Sequence, residues 1–374
     1  MAKNDIEVPH PRENPLMIGH GDAEQRFVQE FNRGLVHHAY LMTGPKGIGK
    51  ATLAYRFARY VLSTGAVKAA EAPSMSLFGD EPAAAAPAAT DDLNMPADSA
   101  LFRRIAAGSH TDLLSLSPAY DAKKHVEKSI ITVDDARKVP EFLSLTPAEG
   151  DWRVVIVDAV DQLNPNAANA LLKILEEPPA RAMLFLVCHQ PGGILPTIRS
   201  RCRQFKLNAP NANDFSEILN RIAPSIENHD YAALYALSFG SPGHAITLYQ
   251  ENGLGWYEGW LNAMQPGAAP EMRQKFSDSV GAQKSPTSWD AVMHGWNMAM
   301  QRLTLHPHYA SHQPIFSKEG ALLSAIAAAT PPALRAQWME AGQRLIHETE
   351  TFNLDKRLTI RLLADPAQLD RLAA

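Results

Sequence analysis

The first half of the chain alternates short apolar runs with segments of helical periodicity. Strands are predicted over HAYLMTG, DLLSLSP, RVVIVDAV, MLFLVCH and RQFKL. The third run is apolar without interruption, which is typical of a strand buried on both faces. Helices are predicted from Lys50 to about Leu62, over VDDARKVPEFLSL, and over NPNAANALLKILEEPP, where Asn164 can cap the helix and Pro178 can end it. Strands that alternate with helices in this way predict a parallel sheet covered by helices on both faces.

Two segments depart from this alternation. From about residue 65 to residue 100 the chain is rich in Ala, Pro and Asp and has no periodicity, which predicts a flexible insertion. After Pro210 the pattern is helical throughout, with breaks at FGSPGH and between Pro266 and Pro270. An α/β domain followed by all-α material is therefore expected.

Composition narrows the class of protein. A chain of 374 residues is too long for one ordinary core. Because the net charge is -5, any contact with nucleic acid would have to come from a local basic patch. Two cysteines exclude a disulfide framework or a four-cysteine zinc site within the chain. The N-terminus is polar and no apolar run approaches the roughly 18 residues of a membrane span, so a soluble cytoplasmic protein is expected.

The segment GPKGIGK lies between a predicted strand and a predicted helix and matches the Gly-x4-Gly-Lys core of a phosphate-binding loop. The residues that would surround phosphates are Gly44, Gly47, Gly49 and Lys50. Backbone N–H groups, the lysine charge and the helix N-terminus all favour an anion there. The next residue is Ala51, where magnesium normally needs a hydroxyl. Thr52 follows about 100° further around the helix and is a poor substitute.

The second half of such a site requires an aspartate at the end of a buried strand and an acidic base beside it. Asp158 follows the run Val154–Val157 and supplies the first carboxylate. The adjacent residue is Ala159, and Asp161 is expected to point elsewhere. The sequence therefore predicts nucleotide binding without hydrolysis.

Four ordered segments resemble the delta-prime family of the bacterial DNA polymerase III clamp loader. They are GPKGIGKATLAYRFARYVL, VVIVDAVDQLNPNAANALLKILEEPP, ILPTIRSRCRQF and FGSPGHAITL, and the likeness runs from about Ile18 to Leu248. The resemblance implies three domains. Residues 1–208 form an α/β AAA+ module that contains the insertion, residues 209–252 form a small helical lid, and residues 253–374 form an all-α collar, the oligomerisation domain.

The resemblance also implies a role in assembly. In this family five subunits form a ring that uses ATP to load the sliding clamp onto primed DNA, and the delta-prime member lacks hydrolysis, in agreement with Ala51 and Ala159. The implied partners are gamma/tau-like and delta-like subunits, the sliding clamp and primed DNA, with no membrane. Relatives commonly carry a zinc module where the Ala/Pro-rich insertion lies, so no zinc is expected. No cofactor is required, and at most weak binding of ATP or ADP is expected.

Several residues take roles from the resemblance alone. Ser200-Arg201-Cys202 matches the family motif whose arginine enters the neighbouring subunit's ATP site; the alternative is a surface arginine without that role. Arg137 and Lys173 match basic positions that face DNA in the ring; the alternative is that both solvate helix faces. Active relatives have an arginine in the lid where Gly243 or His244 stands.

The insertion contains one apolar patch, SMSLFGD. Leu77 and Phe78 resemble the end of the short peptide by which replication proteins bind the sliding clamp, and such a peptide can order on binding. We favour the alternative that both side chains pack on the protein's own α/β domain.

Two other functions remain open. An ATP-hydrolysing clamp-loader motor subunit is disfavoured by Ala51 and Ala159. A stand-alone AAA+ ATPase is disfavoured by the collar-like amphipathic segments LLSAIAAAT and TFNLDKRLTIRLL.

Overall fold

The structure, a computed structural model, describes residues 6–71, 93–118, 120–121, 126–127, 130–281, 286–306 and 314–373. These residues form two compact units. An α/β unit comprises Val8–Asp214, and a helical unit comprises the chain from Phe215 onwards with the described residues before Val8.

The α/β unit is built on a parallel sheet of five strands in the order β2-β5-β6-β1-β7. A separate antiparallel pair joins β3 and β4. The strands are β1 (Ala39–Thr43), β2 (Leu113–Leu116), β3 (Tyr120–Asp121), β4 (Val126–Glu127), β5 (Arg153–Asp158), β6 (Ala182–Cys188) and β7 (Arg203–Lys206). The helices of this part are α1 (Gly21–Asn32), α2 (Lys50–Glu71), α3 (Ala100–Ala106), α4 (Val133–Ser144), α5 (Pro165–Glu176) and α6 (Pro196–Ser200).

Alternate residues of the central strands enter two different hydrophobic clusters, one on each face of the sheet. Tyr40 and Met42 of β1 pack in the cluster that contains α1 and α2, whereas Leu41 packs in the cluster that contains α4 and α5. In the first cluster the rings of Phe27 and Phe57 stack with centroids 4.0 Å apart. Because successive side chains of a strand point to opposite faces, the uninterrupted apolar runs mark strands buried on both sides. The predicted parallel sheet with helices on both faces is confirmed.

One predicted helix boundary is fixed by a side-chain cap, and one helix is longer than predicted. Asn164 caps α5 as predicted, because its Oδ1 accepts a hydrogen bond of 2.8 Å from the N–H of Ala167. Helix α2 is longer than the pattern predicts and continues to Glu71. Its last turns are rich in Ala with Lys and Glu, which favour helix without forming an apolar stripe.

A buried arginine of α2 binds three separate parts of the α/β unit. The Arg56 guanidinium is 2.5 Å from the Glu24 carboxylate and donates to the carbonyl of Pro15 at 2.6 Å and to Oδ1 of Asn94 at 3.0 Å. Arg56 is 2% exposed. The polar N-terminal arm and the residues at Asn94 are therefore tied to the same turn of α2.

The helical unit contains ten helices in the described part of the chain, counting α7, which begins just before Phe215. They are α7 (Ala212–Ile222), α8 (Tyr231–Leu237), α9 (Pro242–Gln250), α10 (Gly253–Ala263), α11 (Pro270–Gly281), α12 (Pro286–Thr304), α13 (Glu319–Ala329), α14 (Pro332–Phe352), α15 (Lys356–Ala364) and α16 (Pro366–Ala373). A small hydrophobic cluster joins α7, α8 and α9, and a larger one joins α10 to α16. The division into lid and collar at residue 252 stays a prediction. None of the described helices has the length and apolar character needed to cross a membrane.

One arginine holds the ends of two helices in this unit. Arg335 of α14 is 5% exposed. Its guanidinium donates to four carbonyl oxygens, those of Leu303 and His306 at the end of α12 and those of Ala327 and Thr330 at the end of α13, at 2.7 to 3.3 Å. The positive charge therefore meets two helix C-termini, where carbonyl groups lack helical partners.

Candidate functional site

The predicted phosphate-binding loop connects β1 to α2 at the carboxyl ends of the parallel strands, where α/β proteins bind ligands. Two of its glycines are required by shape. A Cβ at Gly44 would lie 2.3 Å from the carbonyl oxygen of Leu207, and Gly49 has a φ of 98° with Met17 Cε 2.9 Å from a Cβ placed there. The loop is thus packed on both sides against other segments of the same polypeptide.

His20 supports this loop and was not singled out from the sequence. It is 6% exposed, and its Nε2 is 2.8 Å from the carbonyl oxygen of Ile48. Burial lowers the pKa of His20, so the neutral ring donates Nε2–H to that carbonyl. The contact spans 28 residues of sequence, and no local pattern marks it.

Lys50 is bonded to its own loop. Its ammonium group donates to the carbonyl oxygen of Gly44 at 2.7 Å and to that of Pro45, and the residue is 2% exposed. Burial lowers the pKa of Lys50 to about 8, while the Asp158 carboxylate acts in the opposite direction. A bound phosphate would have to draw the ammonium group away from these carbonyls.

The lowered pKa of Lys50 predicts a titration near neutral pH. In protein labelled with ¹³C-lysine, the Lys50 side-chain resonance should titrate with a midpoint of about 8 instead of 10.5. Because the folded chain then binds fewer protons than the unfolded chain between these pH values, the Lys50 contribution to the free energy of unfolding should rise with pH across that window. Inorganic triphosphate should raise the midpoint, since a nearby anion favours the charged form. Lys50→Met identifies the resonance, and a midpoint near 10.5 in the free protein would contradict the burial argument.

The positions beside the lysine do not supply a metal hydroxyl. Ala51 is partly buried against the α1/α2 cluster. Thr52 is 8% exposed, and its predicted part in nucleotide binding stays a prediction. Of the expected ligands for a nucleotide-bound magnesium ion, this site offers the Asp158 carboxylate. In the described parts of the chain no group of three or more His, Cys, Asp or Glu side chains could hold a metal ion.

The carboxylate of Asp161 is used for structure. It accepts backbone hydrogen bonds from the N–H groups of His189 and Gln190 at 2.9 and 3.1 Å. His189 Nε2 lies 3.9 Å from Oδ1 of Asp158, and burial together with the charge of Lys50 lowers the His189 pKa to about 4. The site therefore combines the predicted phosphate loop and its Lys50 with the Asp158 carboxylate, and the buried Ala159 stands where a catalytic base would follow.

Arg201 lies near the amino ends of the parallel strands, whereas this loop lies at their carboxyl ends. It comes two residues before β7, whose Arg203 pairs with Tyr40 at the start of β1, whereas Lys206 pairs with Thr43 at its end. About 10 Å of strand separates these two ends. The fold therefore brings Gly44, Lys50 and Asp158 together and leaves Arg201 outside the group.

The immediate surroundings of Arg201 are acidic. Its Nη2 is 2.8 Å from Oε1 of Glu176, and its Nη1 donates to the carbonyl oxygen of Thr197 at 3.1 Å. The next residue, Cys202, is buried, and burial raises the pKa of its thiol to about 12, so it is not a reactive thiol at neutral pH.

The two predicted DNA contacts lie on neighbouring helices. Arg137 on α4 and Lys173 on α5 are both exposed, and α4 packs against α5. Arg137 also donates from Nη1 to Oδ1 of Asp134 at 3.1 Å, in a pair that is exposed on both sides. Leu77 and Phe78, the candidate clamp-binding residues, lie outside the described residues.

Comparison with known proteins finds relatives among DNA polymerase III subunits. Residues 83–211 match a family model described as DNA polymerase III, delta subunit. The DNA polymerase III subunit delta' of Pseudomonas aeruginosa is 34% identical over 255 residues, which is 68% of this chain and 66% of that protein. The Escherichia coli subunit of the same name is 32% identical over 60% of this chain and 58% of that protein. A subunit tau from Salmonella typhimurium is 30% identical over 56% of this chain and 28% of that protein.

The aligned part of each of these relatives is thus just under two thirds of its length or less. Together with the matched family model, these identities show that the chain belongs to the delta-prime family of DNA polymerase III subunits.

Proposed function

We propose that this chain is a non-hydrolysing subunit of a replicative clamp loader, which assists in placing the sliding clamp on primed DNA. The observation that carries the proposal is the separation of its two chemical features. The phosphate loop has a lysine but neither the hydroxyl nor the base of an ATPase, and Arg201 lies at the other edge of the sheet. A chain arranged in this way is suited to act on a neighbour's nucleotide.

Arg201 is proposed to act in trans. Phosphoryl transfer is catalysed mainly by positioning and by neutralising charge on the transferring group, and an arginine from a neighbouring subunit does this when it enters the closed site. The exposed end of α6 supports the assignment, because the Arg201 side chain is 35% exposed and can be reached by another subunit. The neighbours proposed are gamma/tau-like and delta-like subunits.

The isolated chain should show no ATPase activity above background, with at most weak ATP or ADP binding through Lys50. A turnover assay on the purified chain, with Lys50→Ala as the matched variant, tests this. Turnover that disappears in Lys50→Ala would establish the alternative function, an ATP-hydrolysing motor subunit. Equal background rates in both proteins are the expected result.

Arg137 and Lys173 are proposed to contact phosphates of primed DNA in the assembled complex. Both side chains are exposed and lie on helices that pack together. Replacing both by Gln should weaken binding of primed DNA and reduce the magnitude of the salt slope by roughly 2, since each phosphate contact contributes about one. Arg221→Gln in the helical unit, which removes an exposed arginine paired with Glu217, is the control. An unchanged slope would leave both residues as solvating charges.

A further inference from the structure

The ion pair between Arg201 and Glu176 joins two elements that arrive at the same edge of the sheet. Glu176 is the last residue of α5, and Arg201 directly follows α6. Their charged atoms are 2.8 Å apart, and the guanidinium also donates to the carbonyl oxygen of Thr197. In the chain by itself, the proposed trans arginine therefore binds groups of its own subunit.

The position of Glu176 is electrostatically unfavourable without a cation. The C-terminus of a helix carries partial negative charge, and a carboxylate in the last turn is repelled by it. The end of α5 is also fixed in place, because the carbonyl oxygen of Leu175 is 3.1 Å from Nε2 of His38. The Arg201 guanidinium therefore faces both a carboxylate and the negative end of a helix, and both attract it.

The solvent exposure of the ion pair determines its strength. The side chains of Arg201 and Glu176 are 35% and 48% exposed, so water screens their attraction. A pair of this kind typically shifts an equilibrium by about fivefold or less. A nucleotide triphosphate carries several charges and several acceptor oxygens, and can compete for the guanidinium.

We propose that Glu176 is a holding residue that keeps Arg201 on its own subunit until a neighbour's nucleotide draws the guanidinium away. This rests on the proposed function, because it requires Arg201 to act on a neighbouring ATP site. Glu176 then sets the ATP concentration at which the arginine engages. The rate after engagement is not affected, since Glu176 does not contact the nucleotide.

A charge-removing variant within the reconstituted complex tests the proposal. With Glu176→Gln, the ATP concentration for half-maximal ATPase activity should fall about threefold to fivefold, while the maximal rate stays within about twofold. Glu177→Gln is the matched control, because it removes the adjacent carboxylate, which lies immediately after the last residue of α5. Glu176→Asp keeps a carboxylate at this position and should restore part of the difference.

The double variant distinguishes the holding role of Glu176 from the trans role of Arg201. In an Arg201→Ala background, Glu176→Gln should have no further effect, because the group that it holds is absent. If Arg201→Ala itself leaves the complex unchanged, the trans role of Arg201 is wrong. If Arg201→Ala is defective but Glu176→Gln matches Glu177→Gln, or raises the half-saturating ATP concentration, the holding role alone is overturned.

Discussion

Arg201→Ala is expected to slow ATP hydrolysis at the neighbouring site by a factor of about 10³ or more, the loss typical when a trans arginine is removed in phosphoryl transfer. The steady-state rate of the whole complex should fall less, because other sites keep their own arginines. Single-turnover measurement of the reconstituted complex, with and without primed DNA, resolves the affected site. Assembly should be unchanged, because the lost partner, Glu176, is exposed to water.

Arg199→Ala is the matched control for this experiment. Arg199 is exposed and lies on α6 two residues before Arg201. The control removes an equal charge from the same surface. A similar defect in both variants would indicate general electrostatic attraction of the partner. Normal hydrolysis in Arg201→Ala with normal assembly would remove the trans role.

Arg335→Ala is expected to give the largest loss of stability, about 3 to 5 kcal/mol in the free energy of unfolding of the helical unit. The variant removes a donor from four carbonyl oxygens, and each buried group left unsatisfied costs about 1 to 3 kcal/mol before relaxation. Two of the four, those of Leu303 and Ala327, keep backbone hydrogen bonds. Urea denaturation followed by tryptophan fluorescence reports this unit well. Of the six tryptophans in the chain, Trp152 alone lies in the α/β unit.

Two variants test whether the geometry of the guanidinium matters. Arg335→Lys should recover only part of the loss, because an ammonium group cannot reach carbonyls in four directions as a planar guanidinium does. Arg344→Ala, on the exposed side of the same helix, should change the free energy of unfolding by about 0.5 kcal/mol or less. A loss in Arg335→Ala as small as that in Arg344→Ala would contradict the assigned role.

The central strands β1, β5 and β6 could be predicted from their apolar runs, because strands buried on both faces are marked by their own composition. The edge strands β2 and β7 are partly exposed and were predicted from shorter runs. The strand order could not be predicted in the same way, since β1 pairs with β6 and β7, which follow it by more than 130 residues. Helix α3 was missed because its apolar residues fill a single short turn next to a compositionally biased segment.

The phosphate loop was predicted from its local spacing, and the absence of a hydroxyl and a base followed from single positions. The contacts that determine its state are non-local. The hydrogen bond of His20 to the loop and the pairing of Arg201 with Glu176 each cross about 25 residues or more. Motifs report which groups are available, whereas the fold decides what those groups touch.

Arg56 of α2 donates to Oδ1 of Asn94, which lies 38 residues later in the chain. Leu93 is buried in the same hydrophobic cluster as α2. A contact between residues this far apart in sequence forms only after a large loss of chain entropy, so we expect Arg56 and Asn94 to join after the local turns of α2 have formed. The attachment at Asn94 therefore reports tertiary structure separately from the helix that carries Arg56.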